Sequence, residues 1–271
     1  MLIEDADDPR VAAYRAVTAG GATADPNTFL CEGRHVVRRL LVSSTYPVRS
    51  VLVTARARSD LDDALRARPG TPVLVASPTV LRSIVGFDFH RGCLALGERS
   101  RPIEAARLIV LDGPRLLLGL EDVADPDNVG ALFRNASAFG AAGVLLSAGS
   151  ADPLYRKTIR VAMGATLTMP FARIESPDAI VALREAGYAV VALTPDPGAE
   201  DVVAVARRPL PRRLAVLVGS EGSGLRPETL AAADLRARIV MSPGADSLNV
   251  ATACGIALHR LASGIMGVDA S

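Results

Sequence analysis

The sequence predicts an α/β protein built as two units, a smaller one over residues 1–103 and a larger one over residues 104–271. Three observations predict it. Apolar runs of four or five residues recur through the chain without polar alternation, as in strands buried on both faces. Segments of helical spacing lie between them, so strands and helices alternate. Hydrophobic residues make up 49% of the 271, enough to fill the core of such layers, and the 22% of charged residues is ordinary for a globular chain.

The first unit opens on the acidic stretch MLIEDADDPR and a short helix over Val11–Ala19, broken by Gly20, Gly21, Pro26 and Asn27. His35–Leu41 has helical spacing, with Val36, Val37, Leu40 and Leu41 apolar and Arg34, Arg38 and Arg39 polar. Val48–Thr54 reads as a strand. Ser59 is placed to cap a helix over Asp60–Arg66, because its hydroxyl accepts from free amides. Pro72–Ala76 is a second strand, Ser77 and Pro78 open a further helix, and Gly92–Gly97 is a third strand. Arg99–Ala106 reads as a short linker.

In the second unit the strand candidates are Leu108–Leu111, Gly143–Leu146, Ala189–Leu193, Leu214–Val218 and Ile239–Met241, with Thr166–Pro170 extended. Helices are expected over Asn128–Phe139, Leu154–Ala162, Pro177–Ala186 and Leu248–Leu261. Gly140 and Gly187 suit helix ends.

Composition excludes several classes. No apolar run reaches the roughly 18–20 residues needed to span a bilayer, and the acidic start lacks the basic and apolar regions of a signal peptide. A cytoplasmic protein is expected. Cys31, Cys93 and Cys254 are odd in number, and they form neither a CxxC pair nor a metal spacing with His35, His90 or His259. Buried thiols and no metal are expected. Net charge is +1, yet residues 10–105 carry fourteen Arg against eight acids. That excess suits a phosphate backbone, although Lys157 is the only lysine and so strong an Arg bias also follows from genome composition.

Three loops carry the chemistry. In EDVADPDNVGALFRNASAFG, ending at Gly140, an Asp- and Pro-rich loop runs into a helix that Asn128 can cap. Arg134 and Asn135 lie two turns in, where apolar neighbours make an unpartnered polar group costly. In LAVLVGSEGSGL, residues 214–225, an apolar strand ends in Gly219, followed by Glu221, Gly222 and Gly224. Glycine there lets backbone approach a ligand at the carboxyl end of a strand. No GxGxxG opens a helix, which argues against a dinucleotide. In IVMSPGADSLNVATACGIALHR, residues 239–260, Ser247 is a good N-cap. Asn249 falls at the second helical position, its amide free to reach a ligand.

Together and in this order, N-V-G-x-x-x-R-N-x-x-x-F-G, G-S-E-G-x-G-L and S-L-N-V-A resemble the signature of the SpoU class of the SPOUT RNA methyltransferases, from about Arg107 to the end of the chain. The resemblance implies S-adenosylmethionine as cofactor and a ribose 2′-hydroxyl of RNA as acceptor. It also implies a parallel sheet whose C-terminal part threads a loop into a trefoil knot, a feature otherwise nearly absent from proteins, and a homodimer packed through helices near that knot. It gives catalytic roles to Asn128, Arg134, Glu221, Ser247 and Asn249, and cofactor contacts to Leu193, Thr194, Gly219, Val240, Met241 and Leu248. Two departures are visible: Val240 stands where the family often has Pro, and Ala162 where it often has Ser. Neither touches the catalytic set.

The segments GRHVVRRLL, residues 33–41, and HRGCLALGE, residues 90–98, resemble parts of the RNA-binding domain fused to many SpoU enzymes, which is similar to kink-turn-binding ribosomal proteins. Arg34, Arg38 and Arg39 then meet RNA phosphates, or else form a solvated helix face. Large-subunit ribosomal RNA is the first expected substrate and transfer RNA the second. The resemblance makes Arg134 either the base for the 2′-hydroxyl or a cation that holds a phosphate and stabilises the developing alkoxide. A catalytically silent RNA-binding factor would have no need of the intact polar set.

Overall fold

The computed structural model describes residues 1–15, 23, 25–85, 92–110, 112–113, 115–245 and 247–266. The chain forms two compact units, Met1–Arg101 with Asp152–Thr168, and Pro102–Ala151 with Met169–Ser271. It thus leaves the first unit after Arg101 and returns to it for one excursion.

The first unit holds β1 (Leu2–Ile3), β2 (Thr28–Glu32), β3 (Val48–Val53), β4 (Val73–Ala76) and β5 (Cys93–Glu98), in the order β1-β4-β3-β5-β2. β1 and β3 run parallel to β4, and β5 runs antiparallel to β2 and β3. Tyr14, Leu30, Leu52, Leu74 and Leu94 meet in its core, where the Tyr14 hydroxyl finds Ser50 Oγ at 2.8 Å. The excursion brings the Arg156–Val161 helix against β2, with Arg156 Nη1 3.4 Å from Glu32 Oε2.

The Arg34–Val42 helix lies where expected, burying Val36, Val37, Leu40 and Leu41. Ser59 is not a cap. Thr54, extended at the end of β3, accepts from the Ala57 amide at 3.2 Å, and a helix runs over Ala55–Asp60 with a second over Asp62–Ala67. Leu61 is fully buried at the break between them. The expected helix over Val11–Ala19 is a 3₁₀ turn at Pro9–Val11 and a helix at Ala12–Arg15. Its remainder, together with Gly20 and Gly21, lies outside the described residues, as do His90 and Arg91.

Among its described residues the second unit forms one parallel sheet of seven strands. These are β6 (Arg115–Glu121), β7 (Gly143–Leu146), β8 (Phe171–Arg173), β9 (Ala189–Leu193), β10 (Glu200–Asp201), β11 (Arg213–Gly219) and β12 (Leu235–Arg238), in the order β10-β12-β9-β11-β6-β7-β8. β11 and β6 pair along their full length. They are buried throughout apart from their first residues, which explains their unbroken apolar runs.

Four expectations change here. Leu108 belongs to a helix, Ala105–Ile109, that buries Leu108 and Ile109, while Leu111 lies outside the described residues. The central strand is the next apolar run, Arg115–Glu121; a short apolar run does not by itself distinguish helix from strand. Thr166 lies in a 3₁₀ turn over Ala165–Leu167, entered through Gly164 at φ 77°, and the strand starts only at Phe171. Ile239–Met241 follows β12 rather than forming a strand, and Val240 is 56% exposed. Asp125, not Asn128, caps the Pro126–Ala138 helix by accepting from Asp127 N at 2.9 Å.

Candidate active site

Loops at the carboxyl ends of β6, β9, β11 and β12 converge in the second unit. β11 ends at Gly219, where a Cβ would sit 2.1 Å from the Gly224 carbonyl carbon, so only glycine fits. The turn closes through Gly224 N donating to Ser220 O at 2.9 Å and through the Ser220 and Ser223 hydroxyls at 2.8 Å. It forms one wall of a cavity of about 490 Å³. Leu193 and Thr194 at the end of β9, Gly219 to Leu225, and Met241, Ser247, Leu248 and Asn249 also line it. Its volume and its mixture of apolar and polar walls suit a small organic ligand.

Asn249 draws the three motifs together. Its Oδ1 accepts from Ala251 N at 3.0 Å and Thr252 N at 3.2 Å, which makes it the cap of the Val250–Met266 helix. Its Nδ2 donates to Asn128 Oδ1 at 2.8 Å and to Glu221 Oε1 at 2.7 Å. Both ends of the amide are therefore engaged by protein. This corrects two expectations. Ser247 is not the cap, although it lines the cavity, and Asn249 precedes the helix instead of occupying its second position. Asn249 aligns Asn128 and Glu221, and Glu221 and Ser247 remain on the cavity wall.

Arg134 lies outside that lining, exposed on the Pro126–Ala138 helix, with no hydrogen bond or ion pair to any described residue. Its neighbour Asn135 does have a partner, donating to Ala251 O at 2.7 Å. Gly255 lets the two helices come this close, since a Cβ there would be 3.1 Å from the Asn135 amide nitrogen. The polar pair amid apolar residues is thus accommodated in two ways, one side chain bonded and the other turned to solvent. Of the six residues expected at a cofactor, Leu193, Thr194, Gly219, Met241 and Leu248 line the cavity and Val240 does not.

Sequence reasoning missed a polar cluster behind this wall. Glu121, the last residue of β6, is 2% exposed, and its carboxylate accepts from Arg226 N and from the Thr229 hydroxyl, each at 2.6 Å. Asp122 follows at φ 54°. Its oxygens accept from Ser147 Oγ at 2.8 Å and Arg226 Nη2 at 2.6 Å. The Ser147 hydroxyl, and then Arg226, hold the Asp122 carboxyl below the usual carboxylate range. The one available signal was an acidic pair ending an apolar strand.

In the first unit, Arg34, Arg38 and Arg39 already have partners. Arg34 pairs with Asp60. Arg38 pairs with Asp63, Nη2 to Oδ1 at 2.9 Å, and donates to Asp60 O at 2.8 Å. Arg39 donates to Met163 O at 3.2 Å. The three cysteines are free and buried, and burial raises each thiol, Cys93 to about 12. Among the described residues no group of His, Cys, Asp and Glu could hold a metal ion.

The SpoU rRNA Methylase family matches residues 115–259. An uncharacterized tRNA/rRNA methyltransferase of Mycobacterium tuberculosis is 38% identical over 94% of this chain and 89% of its own. The Bacillus subtilis 23S rRNA guanosine-2′-O-methyltransferase RlmP is 28% identical over 96% of this chain and 98% of its own. The AdoMet-bound rRNA methyltransferase of Sinorhizobium meliloti superposes with a TM-score of 0.80 at 28% identity, covering 97% of both chains. The signatures N-V-G-x-x-x-R-N-x-x-x-F-G, G-S-E-G-x-G-L and S-L-N-V-A fall within the matched span, and the Asn128–Asn249–Glu221 linkage joins them at one cavity, so the chain belongs to the SpoU rRNA methylase family.

Proposed function

We propose that this protein transfers the methyl group of S-adenosylmethionine to a ribose 2′-hydroxyl of RNA, with 23S ribosomal RNA as its substrate. The observation that carries the reading is the linkage of Asn128, Asn249 and Glu221 beside the cavity at the strand ends. The cavity fits the cofactor: it is large enough, and the Gly219–Gly224 contact leaves backbone bare along one wall. Leu193, Thr194, Gly219, Met241 and Leu248 would hold it, with Val240 beside them. When bound, it supplies an electrophilic methyl group together with its leaving group.

The chain's own residues then position and stabilise. Asn249 fixes the Glu221 carboxylate, and Asn128 is held against the same amide, so the polar wall is preorganised for the displacement. Ser247 adds a hydroxyl at the rim. Arg134 acts on the 2′-hydroxyl, and its unpartnered, exposed guanidinium suits a cation that binds an RNA phosphate and stabilises the alkoxide. We further propose the family's trefoil knot and a homodimer, a first unit that resembles kink-turn-binding domains, and work in the cytoplasm. Among the described residues no helix is long and apolar enough to cross a membrane. Arg34, Arg38 and Arg39 would exchange their present partners for phosphates. Transfer RNA is the second reading, favoured by the name of the M. tuberculosis relative.

The test is transfer of tritiated methyl to total RNA, with mapping of the modified ribose. Arg134→Ala is expected to lower turnover about a hundredfold or more, the usual cost of removing a donor from a developing oxyanion, while the protein melts normally. Near-normal turnover would refute the role of Arg134, and methylation of a base instead of a ribose would refute the reaction.

A further inference from the structure

We infer that Glu121 is a positioning residue for the cofactor. This inference rests on the proposed function. Its carboxylate holds the chain at Arg226, and so fixes the Ser220–Leu225 wall of the cavity from behind.

Glu121 is buried at the end of β6, outside the cavity lining. A buried carboxylate costs free energy unless donors satisfy it, and donors to a charged acceptor make the stronger bonds. Its two donors come from one short stretch, the Arg226 amide and the Thr229 hydroxyl. Arg226 is the N-cap of the Pro227–Ala232 helix, and Leu225, one residue earlier, lines the cavity. A negative charge at a helix start is favoured by the helix dipole.

The Ser220–Gly224 turn closes on itself, so its internal bonds set its shape but not its position. Position comes from its two ends. One is β11, which pairs with β6 up to Gly219 opposite Glu121. The other is the Arg226 anchor, reinforced where the Arg226 guanidinium meets Asp122. One residue on β6 thus faces both ends of the turn that carries Glu221. Because Glu221 is bonded to Asn249, a drift of this turn would also pull on the third motif.

Glu121→Leu removes both acceptors and keeps the bulk, whereas Glu121→Gln keeps one acceptor for the Arg226 amide. Calorimetric titration with S-adenosylhomocysteine reads the outcome, with RNA affinity measured by filter binding alongside. Glu121→Leu is expected to raise the cofactor Kd about tenfold or more, which is about 1.4 kcal/mol. Glu121→Gln is expected to recover most of that, with RNA affinity unchanged in both. Should Glu121→Leu lose its cooperative melt, Thr229→Val carries the test, taking one donor from the same carboxylate and raising the Kd about threefold. A folded Glu121→Leu, or in its place a Thr229→Val, that binds S-adenosylhomocysteine as tightly as the parent overturns the inference. Equal loss of RNA and cofactor affinity also overturns it, since that pattern marks general destabilisation. A parent protein that binds no S-adenosylhomocysteine overturns the cofactor reading itself, a result separable from any behaviour of the variants.

Discussion

Beside the end of β2 in the first unit, exposed guanidiniums of Arg34 and Arg38 rest on the exposed carboxylates of Asp60 and Asp63. At the strand ends of the second unit, two amides and one carboxylate close on each other around a cavity, and a second carboxylate is buried behind them. Exposed pairs are weak and screened by salt, so they exchange readily for water or phosphate. Asn128 and Glu121 are buried, so there each unmade bond strands a desolvated group, while Asn249 and Glu221 lie at the exposed rim, with Asn249 tied to the buried Asn128. The first arrangement suits a large, charged, adaptable partner, and the second suits one small ligand in one pose.

The largest effect that can break this contrast is at Gly219. A methyl group there meets the Gly224 backbone at 2.1 Å, and backbone does not yield as a side-chain tip would. Gly219→Ala should lower affinity for S-adenosylhomocysteine about a hundredfold, read by calorimetry. An unchanged titration would mean the turn is as yielding as the surface pairs of the first unit.

A smaller effect separates two jobs of Asn249. Asn249→Ala removes both the helix cap and the bridge, and the lost cap alone should cost about 1 kcal/mol of stability. Asn249→Ser keeps a capping oxygen but cannot donate to both Asn128 and Glu221. Denaturant melts should therefore improve from Ala to Ser, while methyl transfer stays about tenfold or more down in both. Activity that returns with the serine would assign the function to the cap and leave the bridge idle.

The two ends were not equally legible in the sequence. The motif loops were readable because glycine, glutamate and asparagine at strand ends have few structural uses in combination, and the structure does join Asn128, Glu221 and Asn249. The role of Asn249 was not readable, because a shift of a residue or two in the helix start turns a ligand-facing amide into a cap. Glu121 escaped notice for a different reason. Its partners lie 105 and 108 residues away, and only the pairing of β6 with β11 brings them together. Arg34 and Arg38 looked like free cations since their carboxylates follow more than twenty residues later. Leu108–Leu111 failed as a strand because a four-residue apolar run carries no period, and Arg115–Glu121 could claim the sheet centre through its length.

The smallest effect tests whether two carboxylates that look alike are held alike. Asp122 lies below the usual carboxylate range because of Ser147 and then Arg226, and Asp63 because of its bond from Arg38. A carboxyl whose folded value is depressed contributes stability that is full above its unfolded value, near 4. That contribution is lost as pH falls through the lowered folded value. Asp122→Asn suits the left-handed backbone at φ 54°, so it removes little but the charge, and Asp63→Asn does the same on the surface. Thermal melts should place Asp122→Asn about two degrees below the parent near neutral pH, with the gap closing in acid. Raising the salt should erase what gap Asp63→Asn shows, because that pair is exposed and screened. Most of the Asp122 gap should survive, since the Ser147 hydroxyl is a short-range donor and Gly149 packs against the same carboxylate. Equal salt sensitivity at both positions would mean that the second unit's polar wall is no better held than the first unit's surface.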